Sequence, residues 1–301
     1  MGGERKDGEA WSEFWARNAR KGGGGCMPQR WAAIEQAQQA AWKSFIEPVA
    51  DNPRLLDLAT GDGRVLAWLR QMRPDIEPTG TDLAAQLPPP PPGTRVMAGV
   101  AMEDLPFKDG SFDVVTSQFG FEYGDTDRSA KEVARVLAPG GKVGLMVHRG
   151  DGPILEHNSA RREEIDWVLS KERLFDTMRE ALNADRADTA LESATLLTRK
   201  GGELHGKASP GWEIPEAVRR TLLYGQRGSR AQLTGTLDQI EHQAMNEIGR
   251  IDSLGRACAA ADEREQLIER LEAAGLVLED TRAVCEPSGR AFADFLTLSK
   301  R

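Results

Sequence analysis

The chain has 301 residues, 40% of them hydrophobic, enough to bury a sizeable core in one decorated domain or two small ones. Its 39 lysines and arginines against 47 aspartates and glutamates leave a net charge of −8, and no segment concentrates basic residues enough to track a phosphate backbone, which argues against nucleic acid as a partner. No run reaches the apolar length of a membrane span, the opening MGGERKDGEA lacks a signal peptide's apolar core, and Lys6 stands where N-myristoylation wants Ser or Thr. Cys26, Cys258 and Cys285 have neither metal-ligand nor disulfide spacing, so a cytoplasmic location without a bound metal is expected.

Residues 1–50 carry Trp11, Phe14 and Trp15, a glycine run at 22–25, then Trp31, Ile34, Trp42 and Phe45 among alanines and glutamines. Two helices joined by a flexible loop are predicted. The three- and four-residue steps between aromatics fit a stripe packed on a main domain, with a lid over a ligand as the alternative.

From residue 54 the pattern changes to short apolar runs alternating with helical periodicity, the mark of a parallel sheet covered by helices. Leu55, Leu56 and Leu58 supply a first strand, and Val65, Leu66, Trp68, Leu69 and Met72 a helix face ended by Pro74. EPTGTD reads as a second strand. The following LAAQLPPPPPG forbids regular helix and strand pairing and reads as a stiff spacer. RVMAGV is a third strand, and an Asp109-Gly110 turn introduces FDVVTS as a fourth. Ala130, Val133, Val136 and Leu137 mark a helix closed by PGG, before KVGLMV as a fifth strand.

Residues 151–255 show helical spacing without strand alternation and are predicted to form a helical insert, a substrate cap between the two parts, 51–150 and 256–301, of the sheet domain. EREQLIERLEAAG resumes as an amphipathic helix capped by Gly275, and two β-like runs around Pro287-Ser288-Gly289 make a terminal antiparallel hairpin. The expected fold is α/β: a Rossmann-like, seven-stranded, mostly parallel sheet with that hairpin, N-terminal helices and the insert.

RLLDLATGDGRV sets a glycine-rich turn after the first strand, where a ligand can approach backbone and the next helix presents free N–H groups. A dinucleotide fingerprint wants a third glycine three residues after the second, but that position is Leu66. Asp57 before the turn and Asp62 inside it repel phosphate and attract an ammonium or sulfonium group. Asp82, ending the second strand, can accept from both hydroxyls of a ribose.

Taken in order, LDLATGDGR, TGTD, MEDLPFKDGSFDVVTSQFGFEY and AKEVARVLAPGGKVGLMVH resemble the class I S-adenosylmethionine-dependent methyltransferases, most closely the small-molecule branch with the quinone C-methyltransferases. The resemblance covers roughly residues 55–148. It implies S-adenosylmethionine as cofactor, with Ala59, Gly61 and Gly63 beneath it, Asp57 near the methionine amino group, Asp82, with Leu83 beside it, at the ribose, and Asp62 among the cofactor-binding residues. At the residue that in relatives meets the adenine amino group stands Ala101, which leaves the Met102 N–H and Glu103 for the adenine side, and Gln118 and Phe119 line the methionine end.

His148, Glu122 and Tyr123 fall after the fifth and fourth strands, where open α/β sheets place their ligands, and are the candidate catalytic residues. Each has a structural alternative, a strand end for His148 and a loop brace for the other two. Arg161-Arg162 and Arg219-Arg220 read as solvated helix faces, with an acidic acceptor's site as the alternative. The expected function is methyl transfer to a small, largely apolar acceptor, and the oligomeric state is open. The competing readings are a non-catalytic cofactor-binding scaffold and an NAD-dependent oxidoreductase.

Overall fold

The computed structural model describes residues 2–20, 32–225 and 229–301; the glycine run at 22–25, Cys26 and Trp31 lie outside the described residues. Two helices come first, α1 (Gly2–Arg20) and α2 (Ala32–Ile46). The sheet region follows: β1 (Arg54–Leu58), α3 (Arg64–Met72), β2 (Glu77–Asp82), β3 (Arg95–Ala98), β4 (Phe112–Gln118), α4 (Thr126–Val136) and β5 (Leu137–His148), with no helix between β2, β3 and β4 apart from short turns. Helices α5 (Pro153–Asp166), α6 (Leu174–Asn183), α7 (Ala187–His205), α8 (Pro210–Gly225) and α9 (Arg230–Asp262) follow, then α10 (Arg264–Ala273), β6 (Leu276–Cys285) and β7 (Ala291–Lys300).

The seven strands form one sheet in the order β3-β2-β1-β4-β5-β7-β6. The first five are parallel, and β7 enters antiparallel between β5 and β6. Alternate residues face opposite sides. Leu55, Val114 and Met146 join Trp42 and Phe45 of α2 and Leu66 and Leu69 of α3 on one face. Leu56, Leu58, Val115 and Leu145 join Ala130 and Val133 of α4 and Leu267 and Leu271 of α10 on the other. The expected mixed sheet is therefore present, and buried Leu66 is core, packed where a dinucleotide site would need a glycine.

Two local expectations are corrected. Helix α4 does not run to the PGG: Leu137 is already extended and pairs with Phe112, so the helix stops at Val136 and the glycines lie inside β5, Gly140 with φ +75°. The third strand ends at Ala98, because Gly99 takes φ +72° and its N–H turns back to the Ala84 carbonyl. The proline spacer adopts neither helix nor strand, as expected, and is fastened to α3, with Arg70 donating to the Gly93 carbonyl at 2.7 Å.

The chain divides into two compact units, residues 1–155 with 253–301, and residues 156–252. The second is helical and holds its own core of Val168, Phe175, Met178, Ala194, Val218 and Leu222. Three of its four paired arginines are engaged internally: Arg161 with Glu247 at 2.7 Å, Arg162 with Asp252 at 2.5 Å and Arg219 with Glu216 at 2.7 Å. Those three guanidiniums are thus matched by carboxylates of the same unit. No helix among the described residues is long and apolar enough to cross a membrane.

Candidate active site

The carboxyl ends of the five parallel strands, and the turns that follow them, carry the predicted site residues. Asp57, on the α3 side of β1 like Leu55, is fully buried and accepts the Thr116 hydroxyl at 2.7 Å. Burial pushes its carboxyl up to about 7, against that hydrogen bond, with Asp82 and Asp62 adding to the rise. A buried acid on the edge of neutrality favours a cationic partner, which would restore its charge.

The chain turns through the left-handed region at Ala59 (φ +52°), Gly61 (φ +54°) and Gly63 (φ +72°). A Cβ on Gly61 would fall 2.4 Å from the Trp15 ring, and one on Gly63 would fall 2.6 Å from Pro91. Glycine is required at these two positions by both conformation and space. Asp62 is turned to its neighbour Arg64, accepting from its backbone N–H and its guanidinium, each at 3.2 Å.

Asp82 ties the turn to β2. One of its oxygens accepts the Gly61 N–H and the other the Ala84 N–H, both at 2.9 Å, and burial raises its pKa. Each oxygen keeps a further lone pair for a hydroxyl. Leu83 beside it is exposed, at 55%. Ala101 and Met102 are half-buried in the turn after β3. Glu103 is committed elsewhere, its carboxylate accepting the Asp125 N–H at 2.9 Å ahead of α4. The loop before β4 is held by α4: Glu132 accepts the Leu105 N–H at 2.8 Å, and Arg135 donates to the Leu105 and Phe107 carbonyls. These contacts join the LPF segment to the KEVAR segment of α4.

After β4, the Gln118 amide oxygen accepts the Trp42 indole N–H at 2.6 Å, so this side chain anchors α2. Phe119 sits at φ +56° and stacks on His148 with ring centroids 4.2 Å apart. The short helical turn Phe121–Tyr123 then sends the Glu122 carboxylate to His148, where one oxygen meets both the backbone N–H at 2.9 Å and Nδ1 at 2.7 Å. Both residues are buried, and the second Glu122 oxygen has no hydrogen-bond partner among the described residues. Tyr123 lies edge-on to His148 at 5.8 Å and is met in turn by Trp11 at 5.8 Å. The Cys258 thiol, pushed up to about 12 by burial and then by the Glu122 charge, is inert at neutral pH.

Sequence reasoning missed two residues. Trp15, read as part of a packing stripe, lies against Gly61. Gln38 is buried on the apolar face of α2, with neither amide atom partnered among the described residues. The end of α2 meets Arg73, which donates to the Ile46 and Val49 carbonyls just before β2 begins, so α2 runs from the carboxyl edge of the sheet to its amino edge. Gln38, one turn ahead of Trp42, therefore stands about 6 Å nearer the carboxyl edge than the residue that binds Gln118. The signal for it was a glutamine in line with Ile34, Trp42 and Phe45.

Residues 56–145 match the family described as a methyltransferase domain. Over this segment the chain is similar to a methyltransferase domain. The match spans β1 through most of β5, the segment whose turns carry the site. The chain is 37% identical over 98 residues to demethylmenaquinone methyltransferase of Thermus thermophilus, covering 30% of this chain and 44% of that protein. It is 34% identical over 120 residues to a ubiquinone/menaquinone biosynthesis C-methyltransferase of Geotalea daltonii, covering 35% of this chain and 51% of that one. The chain thus spans about half the length of the curated relatives it matches. Among solved structures, a Burkholderia thailandensis 1,6-didemethyltoxoflavin-N1-methyltransferase aligns with TM-score 0.45 at 12% identity, covering 97% of this chain and 88% of that one.

Proposed function

We propose that the protein transfers a methyl group from S-adenosylmethionine to a small, largely apolar acceptor. The observation that carries this reading is buried Asp57 beside the left-handed turn at Ala59, Gly61 and Gly63. The donor set fits the cofactor: Asp57 would hold the ammonium group, the glycine backbone would lie beneath, and the free lone pairs of Asp82 would take the ribose hydroxyls. Leu83 and the 101–103 turn would flank the adenine, with Phe119 at the methionine end. The cofactor supplies a methyl group on a positively charged sulfur, so that an in-line nucleophile needs no protein-bound intermediate. The chain's own residues then bind, align and exclude water. Phe119, Tyr123, Trp11 and Trp15 supply an aromatic surround that suits an apolar acceptor. The quinone-directed names of the sequence relatives support an aromatic, quinol-like acceptor within that class.

Incubation of the purified protein with methyl-labelled cofactor and an extract of its source cells, followed by mass spectrometry, tests this. Label is expected in a small apolar compound. Label in macromolecules alone would contradict the acceptor class, and cofactor binding with no label in any fraction would favour the non-catalytic scaffold.

A further inference from the structure

We infer that Gln38 reads a polar edge of the acceptor, one that presents an N–H or O–H and a C=O side by side, as a lactam or an α-hydroxy ketone does. The inference rests on the methyl-transfer reading above and adds to it a recognition residue and a functional-group requirement.

Gln38 is 1% exposed, on a stripe of α2 otherwise made of Ile34, Ala41, Trp42 and Phe45. Neither its amide oxygen nor its amide nitrogen has a hydrogen-bond partner among the described residues. A buried amide in that state destabilises the fold, and a leucine or methionine would fill the stripe without the penalty. The polar side chains around it are committed elsewhere. The Trp42 indole N–H goes to the Gln118 amide oxygen at 2.6 Å, His148 Nδ1 meets Glu122 at 2.7 Å, and Glu35, one turn earlier on α2, accepts from Gln39 at 3.4 Å.

Position matches this role. Trp42 and Phe45 lie 3.0 Å from where a Cβ at Gly144 of β5 would be, and Met146, two residues on, faces the same side. One turn of helix and two residues of strand cover about 5.4 and 6.6 Å, so Gln38 stands about level with Met146. Helical side chains lean toward the N-terminus of their helix, which carries the amide past Met146, the last β5 residue paired with β4. It thus reaches the strand ends where Phe119 and Tyr123 flank His148.

That both amide atoms are orphaned narrows the ligand. The cofactor's carboxylate accepts but does not donate, so it would satisfy the nitrogen and leave the oxygen bare, and a lone carbonyl would do the same. An edge with a donor beside an acceptor satisfies both atoms through two parallel hydrogen bonds, the way a glutamine side chain reads the donor and acceptor edge of an adenine. In an otherwise aromatic surround, one such bidentate contact discriminates strongly against analogues without the edge, because they leave the amide unpaired.

Titration of the S-adenosylhomocysteine complex with 2-quinolone, a lactam, and 2-hydroxy-1-indanone, an α-hydroxy ketone, tests this against naphthalene and indane, which lack the polar edge. At least one polar probe should bind more tightly than its hydrocarbon counterpart, and which one does so tells the lactam from the hydroxy ketone. Gln38→Met, close in shape, should weaken that binding about 10–100-fold. It should leave the affinities for the hydrocarbons and for S-adenosylhomocysteine within a few-fold and raise the melting temperature of the ligand-free protein. Greater stability together with lost affinity is a combination that a structural role does not produce. A lower melting temperature for Gln38→Met would show that the amide is satisfied within the protein and would overturn the inference. So would unchanged affinity of the variant for the polar probes, or no preference of the unmodified protein for either of them. Absence of S-adenosylhomocysteine binding to the unmodified protein would instead bring down the methyl-transfer reading itself.

Discussion

Asp57→Asn is expected to weaken S-adenosylmethionine binding by one to two orders of magnitude while making the cofactor-free protein more stable above neutral pH. The first effect follows from losing a charge-assisted contact to the ammonium, worth about 1.5–3 kcal/mol. The second follows from linkage. Burial raises the Asp57 carboxyl from 3.8 to about 7, so between those values the folded protein retains a proton that the unfolded chain has released. Stability contributed by that proton is fully present below about pH 4 and is lost as pH rises through about 7. The cost of the buried charge is of order 4 kcal/mol at most. Asparagine never carries the charge, and its amide oxygen can still accept from Thr116. Thermal melts of the two cofactor-free proteins should coincide near pH 4, diverge up to about pH 7 and then run parallel. Curves that stay parallel throughout would show that the acid is not desolvated.

The second large effect is expected from Gly61→Val. The new Cβ would meet the Trp15 ring at 2.4 Å, in a residue held at φ +54°. Left-handed backbone costs a non-glycine residue roughly 1–2 kcal/mol, and a β-branched one more. The added methyl groups also fill the space over the turn, so both a lowered melting temperature and loss of cofactor binding are expected. Gly140→Ala is the control. Gly140 has φ +75° with nothing within 4 Å of its would-be Cβ, at the amino edge of the sheet. It should lose some stability and keep full binding. Retained binding by Gly61→Val would place the cofactor away from this turn.

Much of the sheet was legible because each buried strand is a short apolar run bounded by a breaker. Leu55, Leu56 and Leu58 before ATGDG, and the FDVVTS run after Asp109-Gly110, each gave a strand. Boundaries were harder where one residue serves two elements. Leu137 closes α4 and opens β5, and no helical period distinguishes those roles. The carboxylates at the strand ends were legible by position, but their hydrogen-bond partners were not. Nothing in the sequence ties Glu122 to His148, 26 residues on, or Trp42 to Gln118, 76 residues on, since both contacts exist only after the sheet has brought its strand ends together. Glu103 shows the same limit: its sequence neighbours give no sign that one of its oxygens accepts the Asp125 N–H.

The central claim, that the turn between β1 and α3 with Asp57 and Asp82 is an S-adenosylmethionine site, is tested most directly by isothermal titration of the purified protein with S-adenosylhomocysteine. One equivalent should bind to the unmodified protein, and the heat should disappear in Gly61→Val. No heat with the unmodified, folded protein would contradict the account.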